Sequence, residues 1–451
     1  MVLTVLLKKL TMVISSMKWL WIGLLAVQIC FVSLDLNAAP NTVTLQDCIQ
    51  TALKNQPAIR SARENVNAGQ GRVTQAASPY LPQVKASTGY SENHSLGGAF
   101  GDSISKSYTT SLSVNQVLYD FGRTGNALDA AHSGVRSSEF DEQRVIQETV
   151  LNVKQTYYAL LAAKKLVLVA QKTVEQAESH YKQAVAFFQS GTKPRFDVTR
   201  TEVEVNNAKL GMINATNNVR LRTIGLYNAM GIDPERDIEI DDILSSSVAM
   251  PSMEQALAES VKNRPEMLKA EADIQAAQAR VKAEESNHFP TLSANGTYNW
   301  AHGTQDMGSL PNGTPLKGDI QNSWNAGVSL SMPLFEGGLT KGRISEARAN
   351  LHALEAQGRS FRQSILIELN QAYADIESAA ARIAVMELSV KKAQESLELA
   401  QGRYEAGVGP YIEVTDAQVA SVNAETDHIQ ALYDYQLAAA RLFKAMGRVE
   451  Q

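Results

Sequence analysis

The 451-residue sequence predicts a mixed fold: a membrane β-barrel joined to an α-helical barrel and closed as a trimer. Each protomer is expected to hold two structural repeats, four transmembrane strands and very long coiled-coil helices. Three observations predict this. The two halves of the chain repeat each other, each half carries a long seven-residue apolar period, and each half carries a pair of alternating segments of about ten residues.

The repeat is read residue by residue. Ala52 to Tyr90 contains Asn55, Pro57, Pro82 and Tyr90, and 208 positions on, Ser260 to Tyr298 contains Asn263, Pro265, Pro290 and Tyr298. At an offset of 216, Gly122, Gln155, Tyr157, Gly191, Val198, Asn207, Met230 and Gly231 recur as Gly338, Gln371, Tyr373, Gly407, Val414, Asn423, Met446 and Gly447. The change of offset places one eight-residue insertion between Tyr90 and Gly122 and their counterparts. The expected organisation is a signal peptide over 1–38, repeat 1 over 39–231, a linker over 232–252 and repeat 2 over 253–451. Repeat 1 should hold helices, a strand pair at about 83–117 and a long helical hairpin at about 123–230. Repeat 2 should hold the same at about 291–332 and 340–446.

Residues 1–38 read as an export signal: Lys18, the apolar run Trp19 to Leu34, and small residues at Ala38 and Ala39. Translation could begin at Met1 or at Met17. Cys30 follows Ile29, where a lipid-attachment site would carry a small residue. Loss of the signal leaves Cys48 as the sole cysteine, so no intrachain disulfide can form. The net charge of −5 argues against a nucleic-acid partner.

No Gly or Pro lies between Gly134 and Gly191 or from Arg359 to Gln401. A helix over 127–189 would be ~95 Å long at ~1.5 Å per residue. Leu369, Ile376, Ile383, Val390, Leu397 and Tyr404 form one heptad row, and Ile365, Ala372, Ala379, Met386, Ala393 and Ala400 form the other. Val153, Leu160, Val167, Val174, Tyr181 and Phe188 match the first row in repeat 1. A strict period of seven implies left-handed supercoiling.

The strands alternate an apolar face with a small polar face. Leu292, Ala294, Gly296, Tyr298 and Trp300 alternate with Ser293, Asn295, Thr297 and Asn299, and Trp324 to Met332 follow the same rule. In repeat 1, Tyr108, Thr110, Leu112 and Val114 face one side. Apolar toward lipid and polar toward a wet lumen is the pattern of membrane strands. Tyr90, Tyr108, Tyr298, Trp300 and Trp324 are candidates for an aromatic girdle in contact with membrane lipid. The stretches His94 to Ser105 and His302 to Gln321 read as exposed hairpin loops. Four strands cannot close in hydrocarbon without leaving backbone groups unpaired. Two copies would give a filled eight-stranded barrel and three copies a twelve-stranded one with a lumen, which the small polar face favours.

Ala52-Leu53-Lys54-Asn55-Gln56-Pro57, Pro79-Tyr80-Leu81-Pro82, Val117 to Gly122, Pro333 to Gly338 and the hairpin turns Gly191–Val198 and Gly407–Val414, in this doubled order, resemble the TolC-like outer-membrane efflux proteins of Gram-negative bacteria over about 40–451. The resemblance implies a homotrimer with a barrel in the outer membrane and helices in the periplasm. It also implies a periplasmic adaptor and an inner-membrane transporter as partners. It further implies a periplasmic gate in which Tyr404 bonds to Asp197, and an acidic selectivity ring of Glu413 and Asp416. Gly409 departs from the best-known member of the family, which has a basic residue there. Lys193, Arg195 and Arg200 are candidates to supply that charge.

The implied function is an exit duct, for small-molecule efflux (drugs or metals) ahead of type I protein secretion. A periplasmic coiled-coil adaptor would explain the helices but not the strands. The seven histidines are scattered, and no metal-ligand spacing, nucleophile elbow or phosphate loop appears, so no enzyme, cofactor or metal is expected.

Overall fold

The structure is a computed structural model that describes residues 42–98, 101–234, 239–245, 250–310, 313–319 and 321–448. The expected export signal, both start codons and Cys30 lie outside these residues. Contacts divide the chain into two units. In the smaller, whose described residues are 42–45 and 239–241, Val43 and Ile240 form a parallel bridge and the Val43 amide donates to the Glu239 carbonyl at 2.8 Å.

The larger unit is Gln46–Glu235 with Asp242–Gln451. Its first half runs α1 (Leu45–Asn55, whose first residue is the end of the smaller unit), α2 (Pro57–Ala77), β1 (Gln83–Gly98), β2 (Gly101–Tyr119), α3 (Arg123–Gln189) and α4 (Arg195–Met230). The second half runs α5 (Met253–Asn263), α6 (Pro265–Glu285), β3 (Thr291–Ser309), β4 (Pro315–Asp319), β5 (Ser323–Ser331), α7 (Leu339–Glu405) and α8 (Tyr411–Ala445). Helix lengths match in order: 11, 21, 67 and 36 residues, then 11, 21, 67 and 35.

A 67-residue helix is ~100 Å long. An acidic side chain sits just before each long helix and bonds a threonine of its first turn. Asp120 accepts the Thr124 amide at 2.9 Å and the Thr124 hydroxyl, and Glu336 accepts the Thr340 hydroxyl. The heptad rows turn inward as their period requires. Leu369, Ile376, Leu397 and Tyr404 are buried, as are Ile365, Ala372, Ala379 and Ala400. Ile365 and Leu369 pack with Leu442, Phe443, Met446 and Ala256, joining α7, α8 and α5. The first row of repeat 1 is buried at Val153 and Leu160, but its last member, Phe188, is 44% exposed where the hairpin turns.

The strands form one antiparallel sheet in the order β1-β2-β3-β4, with β5 also paired to β3. β4 pairs with the far end of β3 (Thr304↔Asp319) and β5 with its near end (Leu292↔Leu330, Tyr298↔Trp324). Together they occupy one side of β3, so the expected fourth strand is present as two pieces. The expected loops are corrected here. His94 to Gly98 and Gly101 to Ser105 continue the strands, His302 and Gly303 pair with β2, and Thr304 to Ser309 pair with Pro315 to Asp319. Polar Ser, Asn and Thr hide the alternation that backbone pairing nonetheless follows.

Register sorts the side chains onto two faces. Leu112, Tyr298 and Trp324 share one rung, with Tyr90, Tyr108 and His302 further along the same face. On the opposite face the Ser87 and Ser111 hydroxyls lie 2.7 Å apart and those of Ser91 and Ser107 lie 2.9 Å apart. The apolar face is bare within one chain: Trp324 is 73% exposed, and Val84, Tyr108, Val328 and Leu330 are also exposed. Among the described residues, no helix is long and apolar enough to cross a membrane.

Among its described residues the expected linker touches α3, α7 and α8, with the Tyr373 hydroxyl donating to the Pro251 carbonyl at 2.7 Å. Lys165 on α3 reaches Asp242 at 2.5 Å, and Gln436 on α8 donates to the carbonyl of fully buried Leu244 at 3.1 Å.

Candidate functional site

The residues expected to form the gate and the acidic ring all lie at the tips of the two helical hairpins. Each tip turns on a glycine that ends the long helix. At Gly191 the backbone is left-handed (φ 74°), its amide donates to Phe188 and that of Thr192 donates to Phe187. At Gly407 (φ 77°) the same pair of bonds runs to Tyr404 and Arg403. This reverse-turn motif satisfies the last free carbonyls, and glycine carries no Cβ to oppose it. Pro194 and Pro410 then precede the first turns of α4 and α8.

Tyr404 is 1% exposed in the packed tip. Its ring meets Phe187 edge-on at 5.8 Å and Tyr411 at 5.1 Å, and the Lys193 ammonium lies 5.0 Å from its centroid. The last contact is a cation–π interaction. The expected Tyr404–Asp197 hydrogen bond is not formed: the Tyr404 hydroxyl is buried without a hydrogen-bond partner. Asp197 is nonetheless close enough for its charge, after burial itself, to raise the Tyr404 pKa. Packing of three aromatic rings, rather than the carboxylate, fixes this phenol.

The expected bond is replaced by one between the hairpins that the sequence did not single out. Tyr411, on α8, donates to Glu204 Oε2, on α4, at 2.5 Å, and Thr415 donates to Glu204 Oε1 at 2.9 Å. Arg200 lies 3.6 Å from the same carboxylate and over the Tyr411 ring at 5.9 Å. Burial, followed by Glu204, pushes the Tyr411 pKa far up, so the phenol keeps its proton at any working pH. His180, on α3, stacks edge-on to Tyr411 at 6.1 Å, and burial lowers its pKa. The signal available in the sequence was Tyr411 directly after Pro410, an aromatic at the exposed start of a helix.

Of the candidate basic residues, Lys193 and Arg200 join the cluster, whereas Arg195 is exposed on the first turn of α4. Glu413 is held by Arg403 at 3.1 Å, across the turn that carries Gly409. A Cβ at Gly409 would crowd both, at 3.1 Å from Arg403 Cβ and 3.3 Å from Glu413 Oε2. Asp416 is exposed one turn further on. Among the described residues no cluster of His, Cys, Asp and Glu could hold a metal ion.

The chain and its fold have counterparts among known proteins. The family model described as "Outer membrane efflux protein" matches residues 48–232 and 256–448. Protein CyaE of Bordetella pertussis is 25% identical over 410 residues, covering 90% of this chain and 84% of that protein. Outer membrane protein TolC of Escherichia coli is 22% identical, covering 90% and 83%. A crystal structure of CusC superposes with a TM-score of 0.77 at 20% identity, covering 92% of this chain and 95% of that one. The open state of the Neisseria gonorrhoeae MtrE outer membrane channel gives 0.73 at 22% identity, covering 89% and 88%. The fold is thus that of outer-membrane channels, in which long helices continue from a sheet. With both halves matched by one family model, the chain belongs to the outer membrane efflux protein family, a family of channels and not of enzymes.

Proposed function

We propose that three copies of this chain close a twelve-stranded barrel in the outer membrane of a Gram-negative bacterium. The long helices continue the barrel as a periplasmic tube, and the whole serves as an exit duct. One observation carries this reading: the apolar face of the sheet. From the Leu292–Leu330 rung to the rung of Tyr90, Tyr108 and His302 is ten residues on β3. That is ~33 Å of strand at ~3.3 Å per residue, or ~25 Å of height at a tilt of ~40°, which matches the apolar band of an outer-membrane barrel. Charge begins just beyond it, where Glu92 meets Lys106 at 3.1 Å and His94 at 3.0 Å. Tyr90, Tyr108, Tyr298, Trp300 and Trp324 are the girdle of this band, and the serine ladder faces the lumen.

The tips of the hairpins are the periplasmic gate. Tyr404, packed by Phe187, Tyr411 and Lys193, and the Tyr411–Glu204 bond beside Arg200 hold the hairpins of one protomer together, and three copies of Glu413 and Asp416 ring the axis. A periplasmic adaptor and an inner-membrane transporter supply the cargo. The family's description as efflux proteins supports small molecules as that cargo. Single-channel recording in planar bilayers tests the reading. The parent protein is expected to form cation-preferring pores, and Glu413→Ala with Asp416→Ala should reduce that preference. Absence of pores sinks the duct, and an unchanged preference removes these two residues from the ring.

A further inference from the structure

Beside the Tyr411–Glu204 bond, α3, α4 and α8 line a half-open cavity of about 460 Å³. Its wall on α3 runs from Leu166 to His180, which is ~21 Å of helix. Small residues keep it open. Ala170, Ala177, Ala208 and Gly211 line it, and a Cβ added at Gly211 would meet no atom within 4 Å. The size and the mostly apolar wall are those of a site for a drug-sized molecule.

The few polar groups define the chemistry of the occupant. No Lys or Arg contributes to the wall, and the Glu204 carboxylate is its one acidic group. Glu204 uses two acceptor positions on Tyr411 and Thr415 and has Arg200, which does not line the cavity, 3.6 Å away, and a carboxylate has acceptor positions left for a ligand. His180, beside it, is disfavoured from carrying a proton by burial. Gln418 also lines the cavity, and its amide oxygen is buried without a hydrogen-bond partner, so a further acceptor is unspent.

We propose that this cavity binds a flat organic cation of drug size, with its apolar body along the Ala208–Gly211 wall and its positive nitrogen toward Glu204 and Gln418. The walls come from both hairpins of one chain, so the site does not rest on the trimer or on the duct. A ligand that touches both hairpins stabilises them against separation by mass action.

Ethidium, whose fluorescence rises on leaving water, is a suitable probe with the purified full-length protein in detergent. Saturable binding is expected, together with a rise in melting temperature. Gly211→Leu fills the cavity and should weaken binding more than tenfold, with the temperature rise lost. Ala177→Leu fills it from the opposite wall and should do the same, which covers the case in which one variant fails to fold. Glu204→Gln should weaken binding about tenfold. The anionic dye anilinonaphthalene sulfonate should not compete. The proposal is overturned by absence of saturable binding, the result expected if a neighbouring copy of the chain fills the cavity. It is equally overturned by binding that survives both filling variants, or by an anionic dye that binds as well as ethidium. Loss of pores in the bilayer experiment with ethidium binding retained would reject the duct and keep the site.

Discussion

Tyr411 on α8 donates to Glu204 on α4 at the hairpin tips, at 2.5 Å from phenol to carboxylate. It is a charge-assisted bond at a part-buried site, the kind that contributes about 1.5–3 kcal/mol. Tyr411→Phe keeps the ring packed against Tyr404 and removes only this bond. Loss of about 1.5–3 kcal/mol is expected, read by thermal or denaturant unfolding in detergent. A variant as stable as the parent would show the link to be energetically neutral.

His180 gives the same region a pH dependence. Burial holds its pKa below the ordinary 6.5, although Glu204 and Glu405 pull it back up. Gln401, 3.4 Å from its ring, and Tyr411 are the neutral groups that face it. In the unfolded chain the imidazole takes its proton near 6.5, while in the fold it resists until lower pH. Stability from this group is therefore full above 6.5 and is lost as pH falls toward the folded value. The melting temperature should fall between pH 7.5 and 5.5 by more in the parent than in His180→Phe. Equal slopes would contradict this.

Two glycines with the same backbone geometry should respond differently to a methyl group. Gly407 and Gly447 have φ of 77° and 74°. A Cβ at Gly407 meets nothing within 4 Å, whereas one at Gly447 would lie 2.8 Å from the Asn263 carbonyl. Gly407→Ala is expected to cost about 1 kcal/mol, the left-handed penalty alone. Gly447→Ala adds a backbone clash where α8 ends against the α5–α6 junction, for a total of about 3 kcal/mol or more. Unfolding of the two variants side by side checks the ranking.

The two faces of the sheet should differ in the same way. Leu112 shares the rung of Tyr298 and Trp324, and Ser113, its neighbour, points to the serine face. Leu112→Arg is expected to cost about 2–4 kcal/mol in a bilayer, and Ser113→Arg much less, with an altered conductance instead. Equal penalties would mean that neither face meets lipid.

Much of this was legible in the sequence because the signals were periodic. The heptad rows through Leu369 and Ile365 report burial directly, and the alternation through Tyr298 and Trp324 reports which face of the sheet a side chain takes. Strand extension past His94 and Ser309 was hidden because serine, asparagine and glycine read as loop while their backbones still pair. The Tyr411–Glu204 bond was hidden for a different reason. At the offset of 216 that relates the halves, Tyr411 corresponds to Arg195 and Glu204 to Ala420. A reading built on what the halves share cannot find a contact made from what they do not. The Tyr404–Asp197 bond erred the other way: it came from the family, whereas here Phe187 and Tyr411 pack the Tyr404 ring and Lys193 covers its face.

The central claim is that one chain leaves its sheet edges open and that two more copies close them. Native mass spectrometry of the protein extracted in mild detergent tests it most directly. The account predicts a single species with the mass of three chains, stable until the detergent is replaced by a denaturing one. A monomer or a dimer as the stable species, with the strands still formed, would contradict it.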